Sequence, residues 1–427
     1  MVTNMSETKT LFRTFKYRLY PTNKQEAIFN EWLETCRRLY NHFVRQRYDH
    51  WETQKQLPKE ERTYLSSIDM CKHLPEMKKV NQYLKRAYAA VLQDVARRVD
   101  KTFRNFTREI SKGNPSYGKP KFKKRTRYNT FTYTQPGVKR QKFRIDDKGL
   151  YLGKIGQIKI IIDREIPQEA VLKTCTIKRD VNHWYAYISV KQSVPISHQQ
   201  IDSSKSVGID LGLKTYGMLS NGDEIENPKW MEVVEKKLAR EHRNLSRKKI
   251  GSNNWNKQLI KVLKIYRKIR FQRRDFLHKE TSKLVSKYDV IVLEDLRIKN
   301  LIKNSSVAKN ISGVSWGIFQ NLLSYKLEEN GKKLIIVNAQ NTSQLCSNCG
   351  ELVKKSLKVR IHKCPNCKIT LDRDLNAAKN ILQRGLDKLQ SSIDNTAGLA
   401  GSACGEVSVE TQGSKKLVKK TSKPKPG

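Results

Sequence analysis

Acidic residues are scarce in this chain of 427 residues: 41 Asp and Glu face 85 Lys and Arg, a formal net charge of +44. A fold with so much like charge repels itself unless a polyanion is near, so nucleic acid is the expected partner. Histidine is scarce too, at 8 residues, and none stands in a Ser/His or Cys/His arrangement, which leaves nucleophilic side-chain catalysis unsupported. No apolar run approaches the roughly 18 residues of a membrane span, and the charge is not gathered on one amphipathic helix, so no membrane partner is expected. The first twenty residues lack an apolar core of the secretory kind, which points to a reducing, cytoplasmic compartment and, with this charge, to association with nucleic acid.

What is present suffices for two to four globular domains, with 37% hydrophobic residues. Phe15, Tyr17 and Leu19 alternate with Lys16 and Arg18 as in a half-exposed strand, which Pro21 ends. Asn23 and Glu26 read as a capping box opening a helix through Phe29, Trp32, Cys36, Leu39 and Phe43. A second helical period runs from about Tyr83 to Ile110, and both stripes are most simply core. The Gly/Pro-punctuated basic linker 113–128 then leads into short alternating segments (TFTYT, KFRI, GLYL, IKIII, TCTI, WYAYISV), an antiparallel barrel or sandwich ending near Val194-Pro195 that the first strand could join. After a polar linker at 196–206 the rhythm changes to a strand, VGIDLG, a hairpin turn at Asn221-Gly222, and a long basic helical pair over 231–286. The strand YDVIVLED, a helix over 314–330, the strand KKLIIVN and a final helix near Asp372 follow.

Three acids stand at the edges of apolar elements: Asp210 inside VGIDLG, Glu294 closing VIVLE, and Asp374 opening the last helix. A carboxylate beside a buried strand is costly unless compensated, and several that converge are usually compensated by a divalent metal. Each alone has a plain alternative: a turn cap for Asp210, an arginine partner for Glu294, a helix N-cap for Asp374. Together their element order matches the ribonuclease-H-like arrangement. Three carboxylates suit two Mg²⁺ ions that clamp the attacking and leaving oxygens of a phosphodiester.

Of eight cysteines, Cys36, Cys71, Cys175 and Cys404 are isolated. Cys346, Cys349, Cys364 and Cys367 form two Cys-x-x-Cys pairs with 14 residues between them, the spacing of a zinc ribbon with one structural Zn²⁺. His362 is a further potential ligand, although four thiolates already complete a tetrahedron. Two stretches interleave aromatics with base: 101–150 has 15 Lys+Arg against 3 acids, and 231–280 has 16 against 5. Lys119, Lys121, Lys123, Lys124, Arg125 and Arg127 in the first, and Arg267, Arg270, Arg273 and Arg274 in the second, are candidate phosphate contacts.

VGIDLGLKTYG (207–217), VLEDLRIKNL (292–301) and TSQLCSNCG…CPNC…DRDLNAAKNIL resemble the TnpB family over about residues 10–385, most specifically 205–385. TnpB proteins are transposon-encoded, RNA-guided DNA endonucleases related to compact type V CRISPR effectors. The resemblance implies a multidomain α+β fold: a RuvC (ribonuclease-H-like α/β) nuclease domain with an inserted zinc ribbon, a β-barrel wedge domain and a helical recognition lobe. The implied boundaries are 1–20, first wedge strand; 21–112, recognition lobe; 113–198, wedge barrel; 199–341, RuvC; 342–370, zinc ribbon; 371–386, final RuvC helix; and 387–427, a disordered basic tail. It implies Asp210, Glu294 and Asp374 as catalytic acids, with Asp374 fitting the motif better than Asp372. Gln93 and Thr132 become candidates for reading a short target-adjacent motif. The expected activity is Mg²⁺-dependent cleavage of double-stranded DNA by one RuvC site that cuts both strands, directed by a guide RNA from the transposon end, the protein being a monomer in its ribonucleoprotein. A nuclease-inactive RNA-guided repressor and a strand-transferring transposase remain alternatives.

Overall fold

The computed structural model describes residues 8–114, 117–134, 136, 142–195, 202–296, 315–356 and 359–400. It divides into two compact units, Met1–Ser197 with Lys236–Lys268, and His198–Glu235 with Ile269–Gly427.

The first unit opens with β1 (Thr8–Tyr20) and the long helix α1 (Asn23–Lys55). The capping box forms one residue earlier than expected, with Thr22 as N-cap. Its hydroxyl accepts from the Gln25 N–H (3.3 Å), and the Gln25 side chain accepts from the Thr22 N–H (3.0 Å). Pro21 leaves Thr22 extended, and Glu26 accepts instead from Trp184 Nε1 at 3.0 Å. Short helices α2 (Ser67–Lys72), α3 (Leu74–Val80) and α4 (Gln82–Arg86) lead to α5 (Ala89–Ser111). The helical period through Tyr83–Ile110 is thus broken at Ala87 and Tyr88, both extended. The cause is tertiary: Lys154 Nζ donates to the carbonyls of Lys85, Arg86 and Ala87 (2.9–3.3 Å), closing α4, while the Tyr88 ring stacks on Tyr133.

The sheet of this unit comprises β2 (Thr130–Tyr133), β3 (Phe143–Asp146), β4 (Gly149–Leu152), β5 (Gly156–Ile161), β6 (Val171–Asp180) and β7 (His183–Pro195), in the order β2-β6-β7-β1-β5-β4-β3. Every pairing is antiparallel, and β1 runs against β7 from Thr8↔Pro195 to Leu19↔Trp184. No ladder joins β2 to β3 among the described residues, so there the sheet is not closed into a barrel by backbone hydrogen bonds. It curls so that its edges meet through side chains: Tyr133 lies edge-on to Phe143, and its hydroxyl donates to the Gly153 carbonyl at 2.8 Å. Phe29 and Trp32 of α1 pack on Phe131, Tyr133 and Trp184, which makes the aromatic stripe core.

The second unit is built on β8 (Ser206–Leu211), β9 (Gly217–Leu219), β10 (Glu224–Ile225), β11 (Val290–Glu294) and β12 (Lys333–Val337), ordered β10-β9-β8-β11-β12. Strands β8, β11 and β12 are parallel, β9 is antiparallel to β8, and β10 is antiparallel to β9. In the chain between β10 and β11 come α6 (Trp230–Ser246) and α7 (Asn253–Lys287), of which Lys236–Lys268 belongs to the first unit. Helix α8 (Trp316–Glu329) precedes β12, and the hairpin β13 (Ile361–Lys363)–β14 (Thr370–Asp372) delivers the chain to α9 (Arg373–Ala400). Helix α9 continues past the boundary expected at 386, because Gly385 and Leu389 keep its apolar stripe against β11 and β12. Residues 401–427 of the expected tail, Cys404 among them, lie outside the described residues.

Candidate active site

Strand alternation decides where the first two acids point. On β8 and β11, Val207, Ile209, Ile291 and Leu293 enter the core shared with α8, while Val290 and Val292 enter the smaller core under α9. With period two, Asp210 and Glu294 fall on the α9 side. The parallel register Ile209↔Leu293 then places them next to each other at the strand ends.

The third acid arrives because α9 sits directly on the sheet. A Cβ at Gly208 would lie 2.3 Å from the Ala378 carbonyl oxygen, and one at Gly385 would lie 2.3 Å from a Val292 methyl. Both glycines are needed for closeness and not for backbone conformation. Asp372 accepts from the N–H groups of Asp374 (2.7 Å) and Leu375 (3.3 Å), so it caps α9 and leaves Asp374 in the first turn.

Burial, and then the charges of Glu294 and Asp374, push the Asp210 carboxyl up to about 7. Burial also raises Glu294, against the Thr342 hydroxyl that donates to it and the nearby Arg384 charge. Arg384 Nη1 donates to the carbonyls of Asn338 and Gln340, at 2.7 and 2.8 Å. The Asp374 carboxylate is paired with Arg360 (3.2 Å) and Arg373 (2.9 Å). The three carboxylates do not converge to within 4.8 Å of one another as the cysteines do. Their hard oxygen donors and mutual repulsion are nonetheless the chemistry that a divalent cation relieves.

The cysteine cluster is built from two matching knuckles. Gly350 and Lys368, each following the second cysteine of its pair, adopt φ of 75° and 59°. Their N–H groups return to the carbonyls of Cys346 (2.9 Å) and Cys364 (3.1 Å), and the Cys346 and Cys364 N–H groups donate to Glu351 and Ile369. The four sulfurs lie within 4.8 Å of one another, with Cys346–Cys367 at 3.6 Å and Cys349–Cys364 at 3.5 Å. A tetrahedron with Zn–S bonds of about 2.3 Å has edges of about 3.8 Å, so these four residues can hold a metal ion of that size. His362 is fully buried beside Lys355 and stands outside the cluster.

Residues that spacing alone did not single out join cluster and acids. Asn376, fully buried on α9, accepts from the Ser347 N–H inside the first knuckle (2.9 Å) and donates to the Leu345 carbonyl (2.7 Å). One turn on, Asn380 donates to the carbonyls of Leu345 and Thr342. The available signal was two asparagines at i and i+4 within an apolar helix face.

The basic candidates separate. Lys119, Lys121, Lys124, Arg125 and Arg127 are exposed, and Lys123 is half-buried with its backbone held by Asn41. Arg270 and Arg274 are exposed, whereas Arg267 is half-buried and donates to Asn182 at 2.9 Å. Arg273 turns inward to Ser315, and burial lowers its pKa. Gln93 is half-buried on α5. Thr132 is only 7% exposed, and its hydroxyl is engaged by Arg98 and Thr176, a fate that nothing local in its sequence announces.

Comparison with known proteins follows this layout. Family models match at residues 11–56 ("Helix-turn-helix domain"), 187–305 ("Probable transposase") and 316–381 ("Cas12f1-like, TNB domain"). The first of these segments is here one strand followed by a single long helix. Two curated relatives carry the name "Putative RNA-guided DNA endonuclease". One, from Streptomyces pristinaespiralis, is 32% identical over 92% of this chain and 91% of its own length. The other, InsQ of Escherichia coli K12, is 30% identical over 92% of this chain and 94% of its own. The TnpB-like protein L79 of Acanthamoeba polyphaga mimivirus is 26% identical over 52% of this chain and 45% of its own length. Likeness at this level along nine-tenths of the sequence is membership, and the chain belongs to the TnpB family.

Proposed function

We propose that this protein is an RNA-guided, Mg²⁺-dependent DNA endonuclease with a single RuvC-type site. The observation that carries the reading is the position of Asp210, Glu294 and Asp374, on two adjacent parallel strands and the helix laid across them, in a chain whose full-length relatives are named as RNA-guided DNA endonucleases. In this reading β1 and the 113–198 sheet form the wedge domain, 21–112 the recognition lobe, 199–341 with α9 the nuclease domain, and 342–370 a zinc ribbon. The parallel β8-β11-β12 core with its antiparallel hairpin supports the ribonuclease-H-like assignment.

Asp210, Glu294 and Asp374 would hold the magnesium, and the four cysteines a structural Zn²⁺. Bound there, magnesium supplies an activated water and a counter-charge for the departing 3′ oxygen. The chain's own part is positional. Sheet and helix fix the direction of each carboxylate, Thr342 orients Glu294, and Asn376 ties the ribbon to the helix that carries Asp374. A site of this size accepts one strand at a time, so both strands are cut in turn after guide pairing opens the duplex. Exposed Lys121, Lys124, Arg125, Arg127, Arg270 and Arg274 are suited to backbone phosphates of a guide RNA derived from the transposon end and of its target DNA, beside a short target-adjacent motif, in a ribonucleoprotein with one protein copy.

The test is direct. Purified with its RNA and given a matching duplex and magnesium, wild type cuts, while Asp210→Ala binds the duplex without cutting. Equal inactivity of both proteins overturns the nuclease reading.

A further inference from the structure

The Asp374 carboxylate is divided between two guanidinium groups of unequal freedom. Oδ1 accepts from Arg373 Nε and Nη2, at 3.0 and 2.9 Å, and Oδ2 accepts from Arg360 Nη1, at 3.2 Å. Arg373 is anchored on several sides: its side chain is 15% exposed, its Nη1 donates to the Val359 carbonyl (3.2 Å), and its backbone N–H donates to the Arg360 carbonyl (2.7 Å). The Arg360 side chain is 49% exposed, and Asp374 is its sole ion-pair partner among the described residues. It belongs to the ribbon, immediately before β13, whose pairing Ile361↔Asp372 brings it alongside the start of α9.

An exposed ion pair in water is weak and yields to a competing anion, whereas a fork of several part-buried donors holds. A guanidinium also matches a phosphodiester in shape and charge. We propose that Arg373 is a positioning residue that fixes Oδ1, and that Arg360 is a gate on Oδ2. Arg360 occupies that oxygen until a nucleic-acid phosphate draws its guanidinium away, and Asp374 then joins Asp210 and Glu294 around a divalent cation. Substrate thereby assembles the metal site, and the ribbon carries the gate. The inference rests on the reading of these three acids as a cation site.

The experiment measures Mn²⁺ binding to the magnesium-free ribonucleoprotein by electron paramagnetic resonance of the free ion, with and without a cleavage-resistant phosphorothioate DNA strand complementary to the guide. In wild type the DNA tightens Mn²⁺ binding. In Arg360→Ala and Arg360→Gln, binding without DNA is already three- to tenfold tighter, and the added effect of DNA shrinks. Unchanged or weaker binding in both variants overturns the gate. Arg373→Lys keeps the charge but loses the fork, so it weakens Mn²⁺ binding severalfold with zinc content and melting temperature unchanged; wild-type binding in that variant overturns the positioning role. Asp210→Asn serves as the control. If it leaves Mn²⁺ binding intact, the three-carboxylate reading itself fails, and that failure is distinct from failure of the gate.

Discussion

Asn376 on α9 and Ser347 in the first cysteine knuckle are joined by a 2.9 Å hydrogen bond, the Ser347 N–H donating to the Asn376 side-chain oxygen. The same asparagine donates to the Leu345 carbonyl at 2.7 Å, and no part of it reaches solvent. The helix that carries Asp374 and the loop that carries Cys346 therefore share one buried amide.

Replacing it with alanine leaves the Ser347 N–H without its partner, while the Leu345 carbonyl keeps Asn380, so one donor is orphaned at about 1–3 kcal/mol. Asn376→Ala should destabilise the protein by roughly 1–3 kcal/mol in urea titration. Cleavage should fall more than RNA binding, since the basic surfaces are untouched. Equal losses in both would mean that the bond serves the whole fold and not the site.

The cysteine cluster predicts a parallel asymmetry. Cys364→Ser, or removal of zinc by a chelator, should impair cleavage more than guide-RNA affinity, because Cys364 and Asp374 are joined through β13 and β14. Zinc content and filter-binding affinity, measured on the same preparation, check this. A larger loss of RNA binding would make the ribbon a nucleic-acid-gripping module in its own right.

Asp210 predicts a pH dependence of stability. Its folded value, about 7, stands above the ordinary 3.8, with burial the first cause and the Glu294 and Asp374 charges next. Between these values the folded state holds a proton that the unfolded chain has released, so stability falls as pH rises from about 4 to about 7. In magnesium-free buffer, Asp210→Asn should melt higher than wild type at pH 8, by an amount on the order of a few kcal/mol, and nearly with it at pH 4. It should also cut no DNA. Coincident melting curves at pH 8 would show that the carboxylate is not under electrostatic stress.

Helix seating on the sheet predicts a steric effect. Gly385→Val places branched carbon where the Val292 methyls already lie, and Gly208→Val meets the α9 backbone. Overpacking of this kind costs about 1–3 kcal/mol, and more where backbone is the obstacle. Each substitution should lower the melting temperature and abolish cleavage, with Gly208→Val the more severe. Wild-type activity in Gly208→Val would show that α9 need not sit so close.

Exposed base predicts salt dependence. Substituting Lys121, Lys124 and Arg125 together by glutamine should weaken guide-RNA binding and flatten the plot of log affinity against log salt, by about one for each phosphate that the protein no longer neutralises. An unchanged slope would remove this segment from the RNA surface.

Features set by local spacing could be read from the chain. The four cysteines, the alternation of β1, the basic surplus and the three acids at the edges of apolar elements are one-dimensional patterns with one-dimensional causes. The break at Ala87, the burial of Thr132 and the inward turn of Arg273 could not be read. Each is made by a residue remote in sequence: Lys154 with Tyr133, Arg98 with Thr176, and Ser315.

The sequence by itself determined which chemistries are available: carboxylates at three apolar edges, thiolates in two pairs, and a charge that calls for a polyanion. Tertiary structure decided their relations, namely that Asp372 caps while Asp374 pairs with Arg360 and Arg373, and that Asn376 links knuckle to helix. The physical reason is that hydrogen bonds and ion pairs act over a few ångströms of space. Chain distance sets no limit on them, so residues far apart in the chain become neighbours only once α9 lies on the sheet.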